Sequence, residues 1–224
     1  EHNFHNINAV AKSLELLKTT LNITIDKEID YKTMELIAES ITDTNQRQEF
    51  LKKIYETFYK KYDPAKAERD GIVYTPSEVV DFMLRSTEQL LKKHFKKNFS
   101  DDNVIILDPA VGTGTFPVHI LKYIDKDKLE SKYKNEIYAN EISILPYYIA
   151  ALNIEHTYQE IKGDFQEFEN ICWMDTLDIG TKDFSKLTSY FGANDNVKRI
   201  SKQQKSKISI IIGNPPYNAV QTSV

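Results

Sequence analysis

The spacing of apolar residues divides the chain into a helical first third and a remainder in which short apolar runs alternate with helices. Apolar residues recur at helical spacing in two early stretches, at Val10, Leu14, Leu17 and Leu21 and again at Phe50, Ile54, Phe58 and Tyr62. The second of these helices should end at Asp63, because the following proline disfavours a helical conformation there. We therefore predict that residues 1–70 form a helical linking or coupling region outside the sheet, without catalytic residues.

The pattern after residue 70 predicts both helices and strands. Ser77 is expected to cap a helix, with Pro76 just ahead of it. Short apolar segments at 104–107, 137–139, 171–173 and 208–212 are the strand candidates, the third being the weakest. The first is rich in β-branched residues, as strands buried on both faces of a parallel sheet are. Further helices are predicted at 115–123 and 143–156, and Pro146 is tolerated in the first turn of the latter.

Strands that alternate with helices are typical of a doubly wound α/β fold. The chain ends seven residues after Tyr217, so the predicted sheet is unfinished. We therefore predict an incomplete Rossmann-like sheet over residues 71–224, as the N-terminal part of a catalytic domain.

Composition and charge narrow the class of protein only slightly. The net charge of -4 lacks the basic excess usual for a nucleic-acid enzyme, so a basic surface would be local or would lie in another part of the protein. No run of about 18 apolar residues exists, and no membrane span is predicted. Cys172 is the only cysteine, which fits a reducing cytoplasm. The five histidines and Cys172 show no metal-ligand spacing, so no metal site is predicted.

The segment 108–116, D-P-A-V-G-T-G-T-F, follows a predicted strand and leads into a predicted helix. Gly112 and Gly114 permit a tight turn and a close approach of the backbone to a ligand. Asp108 at the strand end would repel a pyrophosphate but suits a ligand with an amino group or hydroxyls. Neither of the glycine-rich phosphate fingerprints is present. The alternative is an ordinary strand-to-helix turn with capping glycines.

The segment N-P-P-Y at 214–217 follows the last predicted strand and Gly213. Open α/β sheets bind ligands at the carboxyl ends of their strands. Two prolines stiffen the turn, so the Asn214 side chain and the Pro215 carbonyl can accept the two hydrogens of an exocyclic amine. Tyr217 offers a flat face to a planar base. The alternative is a rigid surface turn.

Together, D-P-A-x-G-x-G-x-F and N-P-P-Y resemble the amino-methyltransferases that modify adenine N6 in DNA, in the branch whose cofactor motif precedes the catalytic motif. The wider context is similar to the methyltransferase region of large restriction-modification polypeptides. The resemblance spans about Ile72 to Tyr217. It implies a Rossmann-like sheet, S-adenosyl-L-methionine as cofactor, and site-specific methylation of an adenine flipped out of double-stranded DNA. A target-recognition domain, and helicase or nuclease regions, would belong to the same polypeptide.

The resemblance also carries roles onto individual residues. Asn214, Pro215, Pro216 and Tyr217 would form the catalytic loop, and the cofactor site would comprise Tyr74, Thr75, Pro76, Asp108, Pro109, Ala110, Gly112, Gly114, Phe116, Glu141 and Asp175. Residues 74–76 resemble the segment that closes over the methionine part of the cofactor. Glu141 would accept the ribose hydroxyls. Asp175 resembles the acid that accepts the adenine amino group of the cofactor. Asp164 is a rival for that role, and Asp175 is preferred because an apolar strand precedes it.

Two alternative functions stay open from the sequence. N-P-P-Y also occurs in methyltransferases that modify glutamine in proteins or guanine in RNA, although D-P-A and the Tyr74-Thr75-Pro76 segment favour the DNA branch. Alternatively, the chain binds cofactor without turning over by itself. The lysine runs at 92–97 and 198–207 are interpreted as solvated faces.

Overall fold

In this computed structural model, residues 75–178 and 193–216 are described, and all of them belong to the second of the chain's two units, Ala65–Val224. The predicted helical region at 1–70 and two predicted site residues, Tyr74 and Tyr217, lie outside the described residues. Among the described helices, none combines the length and the apolar character that crossing a membrane requires.

Helices and strands alternate along the described chain. In order they are α1 (Ser77–Leu90) with a π-helical continuation (Leu91–Phe95), β1 (Ile106–Asp108), α2 (Thr115–Tyr123), α3 (Leu129–Asn135), β2 (Ile137–Glu141), α4 (Ile144–Lys162), β3 (Ile171–Trp173), a 3-10 turn (Thr176–Asp178), α5 (Ala193–Lys205) and β4 (Ile210–Ile211). The helix predicted at 115–123 is confirmed to the residue.

The four strands form one sheet in the order β3-β2-β1-β4, and every described neighbouring pair is parallel. Ile106 of β1 lies in register with Ile137 of β2 on one side and Ile210 of β4 on the other. The predicted α/β class is thereby confirmed. β1 begins two residues later than predicted, because the Val104 N–H bonds to the Asp101 carbonyl in a turn.

Two helix boundaries differ from the predictions. Ser77 is the first residue of α1 and does not cap it, since Pro76 occupies the N-cap position and no side chain caps this end. The Pro76 carbonyl accepts the N–H groups of Val79 at 3.0 Å and Val80 at 3.1 Å. α4 continues past the predicted residue 156 to Lys162, where Gly163 ends it in the left-handed conformation, with φ 95°.

The hydrophobic core lies between the sheet and its covering helices. It includes Ile106 of β1, Ile120 of α2, Ile137 of β2 and Ile154 of α4, each without exposed surface. α3 and α5 were not predicted. Pairing in the sheet brings the carboxyl ends of all four strands to one edge, and the residues that follow those ends form the candidate site.

Candidate active site

Three of the predicted acidic residues lie at the carboxyl ends of neighbouring strands. Asp108 ends β1, Glu141 ends β2, and Asp175 follows β3 by two residues. Asp164 instead lies between α4 and β3, before the strand begins, and is exposed. Because the strands are parallel, Asp164 faces the opposite edge of the sheet from the other three acids.

Asp108 is a buried carboxyl group with an unused acceptor. It is 2% exposed, and its Oδ1 accepts the Ala110 N–H at 3.1 Å. Its Oδ2 is buried without a hydrogen-bond partner among the described residues. Burial raises the pKa of Asp108 to about 7, with a smaller rise from the nearby Glu141 charge and an opposing effect of the Ala110 N–H. A buried polar atom without a partner is costly, so this oxygen is suited to accept a hydrogen bond from a ligand.

The glycine loop is shaped by two left-handed residues. Gly112 has φ 56° and donates its N–H to Glu141 Oε2 at 2.9 Å. Gly114 has φ 93°, and a Cβ there would come within 3.2 Å of the Ala150 backbone in α4. Gly114 thus allows α2 to start close against α4. Phe116 follows in α2, is 3% exposed and anchors the loop in the hydrophobic core.

Glu141 connects the glycine loop to the start of α4. Its Oε1 accepts the Ser143 N–H at 2.8 Å, while Oε2 accepts Gly112. Burial raises the pKa of Glu141, and the backbone N–H groups of Ser143, Gly112 and Ile142 partly offset that rise. A carboxylate can accept about four hydrogen bonds, so capacity remains for ligand hydroxyls.

Gly213 brings the Asn-Pro-Pro turn against Asp108 and Pro109, at the start of the predicted cofactor motif. A Cβ on Gly213 would collide with the Asp108 carboxylate and lie 3.2 Å from Pro109 Cδ. Asn214, the next residue, is half-buried, and Pro215 and Pro216 are exposed. The two motifs, separated by about a hundred residues in sequence, therefore meet at one point.

The segment after β3 contacts the end of β2 and the loop that follows β1. The Met174 N–H bonds to the Glu141 carbonyl at 2.9 Å, and the Thr176 hydroxyl donates to the Pro109 carbonyl at 2.7 Å. Asp175 lies between them, and its Oδ1 accepts the Leu177 N–H at 3.0 Å. Asp175 is thus held beside the strand ends that carry Asp108 and Glu141.

Thr75 and Pro76 lie directly before α1, and a side-chain contact connects α1 to α2. Asp81 Oδ1 of α1 lies 2.9 Å from His119 Nδ1 of α2, the helix that begins at the glycine loop. This contact therefore ties α1, the helix that follows Thr75-Pro76, to α2, the helix that follows the glycine loop.

Sequence reasoning missed three residues that shape this edge: Gly213, Asn140 and Thr176. The signal for Gly213 was a glycine between a buried strand and a stiff proline turn. The signal for Asn140 was a polar residue directly after the apolar run 137–139, and the structure buries it completely. Thr176 offered no comparable signal.

The protein family of the chain follows from its match to a family model. Residues 46–223 match the family model described as N-6 DNA Methylase, which includes both motifs. The chain belongs to the N-6 DNA methylase family. The family resemblance of its two motifs is thereby confirmed.

Three solved structures of DNA complexes are similar to this chain. The chain is 46% identical in sequence to a chain of the DrdV–DNA complex solved by cryo-electron microscopy. The match has a TM-score of 0.77 and covers 86% of this chain and 19% of that one. It is 36% identical to the ATP-dependent Type ISP restriction-modification enzyme LlaBIII bound to DNA, with a TM-score of 0.74 over 98% of this chain and 16% of that one.

A third similar structure is a nuclease-deletion mutant of the Type ISP restriction-modification enzyme LlaGI in complex with a DNA substrate mimic. It is 33% identical, with a TM-score of 0.71 over 97% of this chain and 18% of that one. No curated protein matches the chain. The chain spans less than a fifth of the length of these three solved proteins.

Proposed function

We propose that this chain is the cofactor-binding and catalytic part of a site-specific DNA adenine-N6 methyltransferase within a restriction-modification enzyme. The contact of Gly213 with Asp108 carries the proposal, because it sets the Asn-Pro-Pro turn directly against the cofactor motif. Membership of the N-6 DNA methylase family and the similarity to DNA-bound restriction-modification enzymes support it.

The acidic edge fits S-adenosyl-L-methionine better than a dinucleotide. The unpartnered Asp108 Oδ2 suits an amino group, whereas it would repel a pyrophosphate. Glu141 retains acceptor capacity for ribose hydroxyls, and Asp175 is the acid at this edge that can accept an adenine amino group. The remaining proposed contacts come from the segment 74–76 and from the glycine loop with the start of α2. They are Tyr74, Thr75, Pro76, Pro109, Ala110, Gly112, Gly114 and Phe116.

S-adenosyl-L-methionine, when bound, supplies a methyl group made electrophilic by its positively charged sulfur. The residues of the Asn-Pro-Pro turn act on the amine of the target adenine. The Asn214 side-chain oxygen and the Pro215 carbonyl accept the two hydrogens of the target amine and favour a tetrahedral nitrogen. They also stabilise the positive charge that develops on this nitrogen, and the surplus proton leaves to water after transfer, so no strongly shifted general base is needed.

The target adenine has to leave the double helix before its amine reaches Asn214. Unstacking a base costs a few kcal/mol, and stacking on Tyr217 would offset part of that cost. The proposed partner is double-stranded DNA. A target-recognition domain and possible helicase or nuclease regions would lie in the same polypeptide, and residues 1–70 would couple such regions to the methyltransferase domain.

A methylation assay on the full-length parent protein tests the function. The protein is incubated with S-adenosyl-L-methionine carrying a labelled methyl group and with DNA, RNA or protein substrates, followed by nucleoside and peptide mass spectrometry. We expect label at adenine N6 in DNA. Label in glutamine or in RNA would refute the DNA assignment in favour of the alternative substrate class.

Two further measurements separate cofactor choice from turnover. Calorimetry on the parent protein with S-adenosyl-L-methionine and with NAD should show binding of the first alone, and binding of NAD alone would refute the cofactor assignment. The 224-residue chain is then assayed beside the parent. Cofactor binding without methyl transfer by the chain would show that its catalysis requires further regions of the parent.

A further inference from the structure

A directed series of hydrogen bonds runs beneath the acidic edge. Gln203 Nε2 of α5 donates to Asn140 Oδ1 at 2.8 Å. Asn140 Nδ2 of β2 donates to Thr176 Oγ1 at 3.1 Å, and Thr176 Oγ1 donates to the Pro109 carbonyl at 2.7 Å. Asn140 is fully buried and Gln203 is 5% exposed. Buried polar groups that satisfy one another in this way rigidify their surroundings.

Three members of this series are sequence neighbours of the proposed cofactor acids. Pro109 follows Asp108, Asn140 precedes Glu141, and Thr176 follows Asp175. The acids belong to three different strand ends, and backbone pairing alone does not set the distances between their side chains. The hydrogen-bond series joins the three strand ends directly, one residue away from each carboxyl group.

Gln203 connects the same series to the helix that leads into β4. α5 ends at Lys205, and the Asn-Pro-Pro turn follows β4. The helix is also held at its other end, where the Asn196 side chain pairs with both the N–H and the carbonyl of Trp173, at 2.9 and 2.8 Å. α5 therefore cannot shift along β3 without breaking these bonds.

We propose that Asn140, Thr176 and Gln203 form a positioning network that sets the spacing of Asp108, Glu141 and Asp175. They act through their neighbours and take no chemical step themselves. The effect of the network on cofactor binding rests on the proposed function, whereas its effect on the rigidity of the glycine loop does not. Each neutral hydrogen bond of the series is worth about 1 kcal/mol, so a variant that loses one of them should bind cofactor about five- to tenfold more weakly. Thr176→Val loses both bonds of the hydroxyl and should be affected at least as strongly.

The test uses Thr176→Val in the full-length parent, because valine keeps the shape of the side chain and removes its hydroxyl. Thr176→Ser retains the hydroxyl and should restore the wild-type result. Thr87→Val is the matched control, since the Thr87 hydroxyl bonds at 2.8 Å to the Met83 carbonyl of its own helix, α1. Gln203→Leu breaks the series at its other end.

Two readouts distinguish the network from the proposed function. The first is amide hydrogen exchange at Ala110 and Gly112, whose N–H groups bond to Asp108 and Glu141. Exchange at both amides should accelerate about five- to tenfold in Thr176→Val and in Gln203→Leu. It should not accelerate in Thr176→Ser or in Thr87→Val. Calorimetry should show the matching loss of S-adenosyl-L-methionine affinity, with kcat at saturating cofactor nearly unchanged.

Unchanged exchange at both amides in Thr176→Val would overturn the network, whatever the protein binds. Equal acceleration in Thr87→Val would also overturn it, because the effect would then be general destabilisation. Accelerated exchange in a protein that binds no S-adenosyl-L-methionine would instead refute the proposed function and leave the network standing.

Discussion

Gly213 lies so close to Asp108 that any side chain at position 213 would collide with the carboxylate. The Asp108 carboxylate is poorly able to move away, because its Oδ1 holds the Ala110 N–H and the group is buried. This contact makes the end of β4 and the end of β1 one structural unit. A displacement of either loop is transmitted to the other.

Gly213→Ala should therefore impair both cofactor binding and methyl transfer. Overpacking of a buried contact costs roughly 1 to 3 kcal/mol. A misplacement of reacting groups by about 1 Å can lower a rate by about a hundredfold. We expect a loss of about that size in single-turnover methyl transfer by the full-length parent, together with weaker S-adenosyl-L-methionine binding.

Gly163→Ala is the matched control for this prediction. Gly163 has φ 95°, and a Cβ there would meet nothing within 4 Å. The substitution strains the backbone, at roughly 1 to 3 kcal/mol, without touching the candidate site. It should lower thermal stability as Gly213→Ala does while methyl transfer stays near wild type. Equal losses of activity in both variants would contradict a specific role for the Gly213 contact.

The Asp108 carboxyl group should make stability depend on pH. Its pKa is raised from 3.8 to about 7, so the folded state holds this proton more tightly than the unfolded state. Stability is then greatest below the unfolded pKa and falls as the pH rises from about 4 to about 7. The difference between wild type and Asp108→Asn in thermal melts should show this fall. A difference that stays constant across the window would contradict the raised pKa.

Cofactor affinity should follow the ionised form of the same group. An ionised Asp108 accepts a hydrogen bond from a cationic ligand more strongly than a protonated one. Affinity for S-adenosyl-L-methionine in wild type should fall by up to about tenfold per pH unit below 7. Asp108→Asn should bind more weakly at pH 8 and lose most of this dependence. Calorimetry of wild type and Asp108→Asn over this pH range measures both effects.

The local segments of the site could be predicted from the sequence, but their contacts could not. The strand, glycine turn and helix around 104–123 follow from a short β-branched run, Gly112 and Gly114, and the structure agrees closely. Contact between Gly213 and Asp108 depends on β4 pairing with β1, and no local pattern specifies the order of strands in a sheet. α5 was missed because its buried face includes the polar Gln203 beside Ile200, so apolar spacing was absent.

Tyr217 lies outside the described residues, and its role stays a prediction from the sequence. If it stacks on the flipped base, Tyr217→Ala should weaken capture of that base by about 1 to 3 kcal/mol, the usual contribution of a base–aromatic stack. Tyr217→Phe should have a mild effect because the stacking face survives. Binding of the parent to DNA with a fluorescent adenine analogue at the target position would measure the loss. Equal effects of Ala and Phe would argue against stacking.

Asn214 provides the most direct test of the proposed chemistry. Asn214→Ala removes one of the two acceptors for the target amine and leaves the acids of the cofactor site in place. Losing one preorganised partner of a developing charge typically costs about 3 to 4 kcal/mol, or roughly a hundred- to a thousandfold in rate. The loss should appear in single-turnover methyl transfer, with S-adenosyl-L-methionine affinity little changed.

Two variants make this result specific to the acceptor. Asn214→Asp keeps an acceptor oxygen at the same position and should retain more activity than Asn214→Ala. Asn135→Ala makes the same change at the exposed end of α3, before β2, where the Asn135 amide bonds to the Ser131 carbonyl at 3.1 Å, and should leave methyl transfer intact. If Asn214 instead only stiffens a surface turn, the melting temperature of Asn214→Ala would fall in step with its activity. Near-wild-type methyl transfer by Asn214→Ala would contradict the role of the Asn214 side chain as an acceptor for the target amine.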